Sequence, residues 1–294
     1  MIAALFRHIA HWQMRLTGAR PVVIVRMDGG ICSQMQQYLM GHSFYEHGYE
    51  VRYDLSFYDK DGRDMNGQDD RSFTLLKAFS KLPFTRAPFW QKALYRRAFR
   101  HIGRYPEDGT TDWMQLRPPV LLDGYYADCA EMYADYTTLF QPNPACLDTD
   151  NLTLYHRIEP NAVAVHIRRG DLSHYTEAYG HPATPDYFVR AVQWCADHCG
   201  ATEFYLFSDD AQYVATEILP LLPSTLHYTQ IHNSPLHGYY DLMLMSRCTH
   251  HISSKGSLAK FAACMQPNSG YAIVLSDDRQ LGPLEYIGKK MITL

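Results

Sequence analysis

The sequence predicts an α/β fold built on parallel sheets, arranged as two successive units. Short apolar runs suited to buried strands alternate with stretches of helical periodicity. Glycines or small polar residues follow several of these runs, where a strand hands over to a helix. The rhythm breaks at Gln141 to Asp150 (QPNPACLDTD), which carries two prolines and no periodicity, and then restarts. The expected division is residues 1–145 and residues 146–294, in keeping with about 150 residues per domain.

In the first unit, Pro21 to Arg26 (PVVIVR) reads as a buried strand. A Gly29-Gly30 turn leads into a helix from about Ser33 to His47, and a second strand follows at Tyr49 to Leu55. Tyr58 to Asp70 is rich in Asp and Gly and reads as a loop, and helical, Arg-rich sequence runs on to Arg104. Val120 to Tyr126 is a strand and Cys129 to Phe140 a helix. In the second unit the strands are Ala162–Arg168, Phe204–Ser208, His227–Gln230, His250–Ser254 and Tyr271–Leu275. The helices between them are Pro185–Cys199, Ala211–Leu219, Gly238–Ser246 and Ser257–Met265.

Composition narrows the function classes. The chain has 27 Lys+Arg against 31 Asp+Glu, a formal charge of −4, whereas sequence-independent nucleic-acid binding rests on a large basic excess. A 46% hydrophobic content excludes a disordered chain. No stretch approaches the roughly 20 apolar residues that cross a bilayer, and the start lacks the pattern of a signal peptide. Seven scattered cysteines, odd in number and without a C-x-x-C pair, read as reduced thiols of a cytosolic protein. Within residues 1–18, Ile2, Leu5, Phe6, Ile9, Trp12 and Leu16 recur at helical spacing among Arg7, His8, His11 and Arg15. Such a basic amphipathic helix suits either an anionic membrane surface or its own domain.

Four candidate motifs fall at the carboxyl ends of strands, where α/β folds place ligands. In Asp28-Gly29-Gly30-Ile31-Cys32-Ser33-Gln34-Met35, glycines allow close backbone approach and a helix start offers unpaired N–H groups to an anion, or the turn is only structural. The spacing is neither that of a P-loop nor G-x-G-x-x-G. In His166-Ile167-Arg168-Arg169-Gly170-Asp171, alternation sends His166 and Arg168 to one side and Arg169 to the other. A guanidinium fork at Arg168 suits a diphosphate, while Arg169 suits an internal pair with Asp171. In Phe207-Ser208-Asp209-Asp210 the carboxylates could bind a metal, cap the next helix or accept N–H donors from a base or sugar, with Ser208 or Asp209 as the expected cap. In His250 to Ser257 (HHISSKGS), hydroxyls and amides at a helix start fit a phosphate cradle, while the two histidines point apart and suit no metal.

Together these residues resemble the α-1,2-fucosyltransferase family, glycosyltransferase family 11. The resemblance runs through Gly29 to Tyr38, Leu122-Asp123-Gly124-Tyr125-Tyr126, His166 to Asp171, Asp186-Tyr187-Phe188, Phe207 to Asp210 and Leu244-Met245-Ser246-Arg247-Cys248, in matching order. It implies a GT-B-like fold of two Rossmann-type domains facing across a cleft, with the acceptor on the first and GDP-fucose on the second. It also implies inversion at the anomeric carbon, no cofactor and no required metal. The acceptor would be O2 of a terminal galactose on an oligosaccharide or lipid-linked glycan, as in O-antigen synthesis in a bacterial cytoplasm.

By the same resemblance, Arg168 would hold the β-phosphate, with His166 supporting it. Asp209 and Asp210 would read the guanine edge beside Ser208, and Ser253, Ser254 and Ser257 would contact the phosphates. Gly30 and Gln34 would line the cleft. Asp171 is a further candidate, either for catalysis or for structure, and the base that takes the acceptor proton is open among Asp28, His174, Glu177 and Asp171. The chain departs from the family's N-S-S-F-S-W-W, reading Lys255-Gly256-Ser257-Leu258-Ala259-Lys260-Phe261. Two alternatives therefore stand beside the first reading: a transferase using another nucleotide sugar, and a non-catalytic nucleotide-sugar-binding protein.

Overall fold

The computed structural model describes residues 2–17, 20–59, 71–104, 113–170, 172, 181–278 and 280–294. The chain divides into two compact units, residues 1–76 with 81–134, and residues 77–80 with 135–294. Each is α/β with an all-parallel sheet, as the alternating pattern predicts.

The first unit carries β1 (Val22–Arg26), β2 (Glu50–Asp54), β3 (Arg100–Arg104) and β4 (Val120–Tyr125) in the order β2-β1-β4-β3. Its principal helices are α1 (Ile2–Thr17), α2 (Ile31–Glu46) and α3 (Phe89–Ala98). β1 is buried along Val22–Val25 because both faces of a central parallel strand are covered, which is why it reads as an unbroken apolar run. Among the described part of the Arg-rich stretch expected to be helical, α3 stops at Ala98 and the chain continues as edge strand β3. Arginines, a histidine and a glycine hide that strand from a pattern search, and charge is what keeps an exposed edge from pairing elsewhere.

The second unit has six strands, in the order β10-β9-β8-β5-β6-β7. They are β5 (Val163–Ile167), β6 (Glu203–Ser208), β7 (His227–Ile231), β8 (His250–Ser253), β9 (Tyr271–Val274) and β10 (Lys290–Thr293). The connecting helices are α4 (Thr149–Arg157), α5 (Pro185–Cys199), α6 (Ala211–Tyr213), α7 (Gly238–Met245) and α8 (Leu258–Cys264). α5 matches its expected span because the sequence marks both ends, with Pro185 in the first turn and Gly200 in the left-handed conformation after the last (φ 62°).

Two expected helices are corrected. Cys129 to Phe140 forms only a 3₁₀ turn at Glu131–Tyr133 and a single turn at Tyr136–Leu139. Ala211 to Leu219 is one helical turn followed by a π turn at Val214–Ile218. The stretch from 135 to 146 packs into the second unit: Tyr136 Oη donates to the Phe261 carbonyl at 2.6 Å, the Asn143 amide to the Ala78 carbonyl at 2.9 Å, and the Phe79 and Phe140 rings lie 4.9 Å apart. Those contacts draw the division at 134/135 and bring residues 77–80 along with it. No helix among the described residues is long and apolar enough to cross a membrane.

Candidate functional site

In the second unit the chain moves from β5 outward through β6 to β7, then returns to β5's other side as β8. The sheet order therefore reverses between β5 and β8, and the space beyond the carboxyl ends of those two strands is where such sheets place ligands. His166 and Arg168 leave β5 there, and Ser253 to Ser257 leave β8.

The two strand ends are laced to each other. The Arg168 amide donates to Ser254 Oγ at 2.9 Å, and the Ser254 amide donates back to the His166 carbonyl at 3.1 Å. Ser254 is fully buried, and Ser253, also buried, donates its hydroxyl to the Ser254 carbonyl at 2.9 Å. From α5, Tyr187 Oη reaches the carbonyls of Ser253 (2.8 Å) and Ile273 (3.1 Å), pinning the ends of β8 and β9. The Ser253 and Ser254 hydroxyls thus brace the turn and are not turned outward as phosphate ligands. Ser257 is exposed at the start of α8 and makes no capping hydrogen bond with its side chain.

On this frame the Arg168 side chain lies across Gly256. A β-carbon at position 256 would sit 2.9 Å from Arg168 Cδ, 3.0 Å from its Nη1 and 3.7 Å from His166 Cε1, and the residue's φ is 126°. Both facts require glycine. His166 is 8% exposed, and its Nδ1 is buried with no hydrogen-bond partner among the described residues. Burial, with the positive charges of Arg168 and Lys260, pushes its pKa down to about 3, so the ring beside Arg168 is neutral. Lys260, on α8, is buried with its ammonium 2.5 Å from Asp278 Oδ2 and 2.6 Å from the Gln280 carbonyl. Burial outweighs that pairing and lowers its pKa.

The β6 end corrects the sequence reading. Asp209 accepts the Arg169 and Gly170 amides, at 2.9 and 3.1 Å. The helix cap is Asp210, not Ser208 or Asp209: Asp210 Oδ1 accepts the Tyr213 amide at 3.0 Å. Ser208 Oγ donates to the Ile167 carbonyl (2.7 Å) and accepts the Asp210 amide (3.0 Å). Arg169 pairs with Asp210 at 3.4 Å and stacks 3.8 Å over the Tyr213 ring; Asp171, the partner expected for it, lies outside the described residues. Asp209 thus holds the turn after β5, while Asp210 caps α6 and pairs with Arg169. Likewise His250 and His251 are core residues, bonded to Asn161 and to the Met245 carbonyl, at 2.9 Å each.

In the first unit the order reverses between β1 and β4. Asp28 lies just past β1, its Oδ1 accepting from Gln37 Nε2 (2.7 Å) and Tyr125 Oη (3.1 Å). Gly29, with φ 71° and Ser33 2.8 Å from any β-carbon, is the glycine this turn requires; Gly30 has open space around it. Gln34 is corrected: it is fully buried and its amide is consumed by backbone groups. Its Oε1 accepts the Thr74 and Leu75 amides, and its Nε2 donates to the Gly29 and Ser72 carbonyls.

Asp171, His174 and Glu177 lie outside the described residues, as does most of the loop from 58 to 70. Gly256, Lys260, Asp278 and Tyr213 were missed as site residues. Only Lys260 left a signal, a lone cation within the apolar run LAKFAAC. The assembled arrangement is an arginine, a residue type suited to an anion presenting two oxygens, at a switch point beside a neutral histidine.

Residues 147–280 match the model of glycosyl transferase family 11. No curated protein matches the chain. Among solved structures, the fucosyltransferase NodZ from Bradyrhizobium is similar at 13% identity and a TM-score of 0.49, over 85% of this chain and 94% of that one. POFUT1 in complex with GDP stands at 10% and 0.47, over 85% and 95%. The E. coli ADP-heptose LPS heptosyltransferase II stands at 10% and 0.47, over 93% and 90%. Residues 147–280, which hold the His166–Arg168 turn, thus carry the signature of glycosyl transferase family 11, the family that the motifs resemble.

Proposed function

We propose that this chain is an inverting fucosyltransferase. It moves L-fucose from GDP-β-L-fucose to O2 of a terminal galactose, building surface polysaccharide such as O-antigen on a lipid-linked glycan in a bacterial cytoplasm. The observation that carries the proposal is Arg168, fixed at the β5/β8 switch point within the segment that matches the family model. The acceptor hydroxyl attacks the anomeric carbon as the bond to the diphosphate oxygen breaks, and the hydroxyl proton passes to a base. Negative charge grows on the departing GDP, and the Arg168 guanidinium meets it with charge-assisted, two-pronged hydrogen bonds. A cation aimed at that charge accelerates the step only so far as it binds the leaving group more tightly than the ground state. The reaction so drawn needs no cofactor, and Arg168 takes the place a metal would have. The second unit would bind the donor and the first the acceptor, with Asp28 held by Gln37 and Tyr125 as a candidate base.

One observation favours a second reading, transfer from another nucleotide sugar. Asp209 and Asp210, the residues expected to read guanine, are engaged with the amides of Arg169, Gly170 and Tyr213. Calorimetric titration with GDP-fucose, GDP-mannose, UDP-galactose and ADP-heptose separates the two. Tightest binding of GDP-fucose supports the first, and preference for a uridine or adenosine nucleotide replaces it with the second.

A further inference from the structure

α1 has two apolar faces, and the fold uses one. Ala10 is fully buried and Met14 packs on the cluster around Val22, Ile24 and Tyr95. Arg7 Nε donates to the Ala98 carbonyl at 2.9 Å, and the His11 ring meets Phe99 edge-on. The other face is a row of Leu5, Ile9, Trp12 and Leu16, which are 61%, 45%, 65% and 66% exposed. Their spacing of i, i+4, i+7 and i+11 makes one stripe along the helix. Phe89 and Trp90, at the start of α3, are 83% and 59% exposed. The end of α3 lies beside Arg7, and Ala87, just before its start, belongs to the cluster on which Met14 packs.

We propose that this face docks on an anionic phospholipid bilayer. Charge chooses the occupant. Residues 1–27 and 71–104 hold 13 lysines and arginines and no aspartate or glutamate, in a chain whose net charge is −4. Some of these cations are paired inside the unit, as Arg26 and Arg100 are with Asp123. Arg7 and Arg15 on α1, Arg20 after it and Arg97 near the end of α3 are exposed. A second copy of the chain meeting the same face would set cation against cation. A bilayer presents acyl chains to the stripe and negative headgroups to its rim, and the interface is where tryptophan is favoured. The surface is a convex helix ridge, which suits shallow insertion lying flat at the headgroup level and not a span.

The test uses the full chain and vesicles of phosphatidylcholine with or without phosphatidylglycerol, read by co-sedimentation. Binding is expected only with the anionic lipid and weakened by high salt, since each surface arginine contributes roughly fivefold to partition. Trp12→Glu/Leu16→Glu, at exposed positions, is expected to lower partition at least about tenfold with an unchanged circular dichroism spectrum. Arg15→Glu/Arg97→Glu should do the same through charge. Brominated phosphatidylglycerol provides a measurement free of variants: it should quench the exposed Trp12 and Trp90 while Trp113, 2% exposed, stays bright. Equal sedimentation with and without vesicles overturns the proposal, as does absence of bromine quenching. A dimer that Trp12→Glu/Leu16→Glu converts to monomer, with no vesicle binding by wild type, assigns the face to self-association instead.

Discussion

Replacing Gly256 by alanine tests whether the placement of Arg168 matters to a nucleotide. The new methyl would lie 2.9 Å from Arg168 Cδ and 3.0 Å from Nη1, where non-bonded heavy atoms settle at about 3.5–4.0 Å. The backbone there has φ 126°, a region that costs a residue with a side chain about 1–3 kcal/mol. His166 Cε1, 3.7 Å from the same point, already touches the site on that side. Arg168 must therefore give way, by on the order of 0.5–1 Å. A hydrogen bond to a charged group contributes about 1.5–3 kcal/mol and depends on its geometry. Losing one such bond weakens GDP affinity by about 10- to 100-fold. Calorimetric titration with GDP reads the affinity, and thermal denaturation reads the accompanying loss of about 1–3 kcal/mol of stability. Gly238→Ala is the control, since position 238 has open space and φ −54°, and it should leave both within error. GDP affinity within twofold of wild type in folded Gly256→Ala would refute the reasoning.

Three further outcomes follow from the geometry. Lys260→Met leaves Asp278 buried without its cation and should destabilise by about 3–5 kcal/mol in chemical denaturation, most of it recovered in Lys260→Met/Asp278→Leu. Asp28→Asn should lower turnover at least about 100-fold as the loss of a general base, while GDP affinity stays within twofold; unchanged turnover would leave Asp28 a structural residue. Stability should fall on acidification from pH 7 to 5. His166, His250 and His251 are pushed by burial down to about 3, 4 and 3, so the unfolded chain takes up protons that the folded chain refuses. Each costs about 2 kcal/mol by pH 5. Burial raises the Asp241 pKa to about 6, which opposes the trend by about 1 kcal/mol over the same range. A melting temperature that rises between pH 7 and 5 would contradict the assignment.

The central strands were legible because burial on both faces leaves a continuous apolar run, as at β1 and β5. The edge strands β3 and β10 were not, because exposed edges carry Arg100, His101, Lys290 and other polar residues that break the pattern. The turn at Tyr136–Leu139 is set by tertiary contacts of Tyr136 with Phe261, which no local periodicity encodes. His166 and Arg168 could be singled out because alternation places them together at a strand end. The roles of Asp209 and Asp210 could not be, since a carboxylate after a strand serves a ligand or its own backbone equally well until the neighbouring amides are placed. Gly256 needs the third dimension, because its requirement arises from an arginine 88 positions earlier in the chain.

The most direct test of the proposed reaction is release of GDP from GDP-fucose in the presence of a terminal β-galactoside and EDTA, for wild type and Arg168→Ala. The account predicts acceptor-dependent turnover by wild type in EDTA, an α-1,2-linked product, and a loss of about 100-fold or more in the variant. No turnover on any galactoside, or turnover that Arg168→Ala leaves intact, would contradict it.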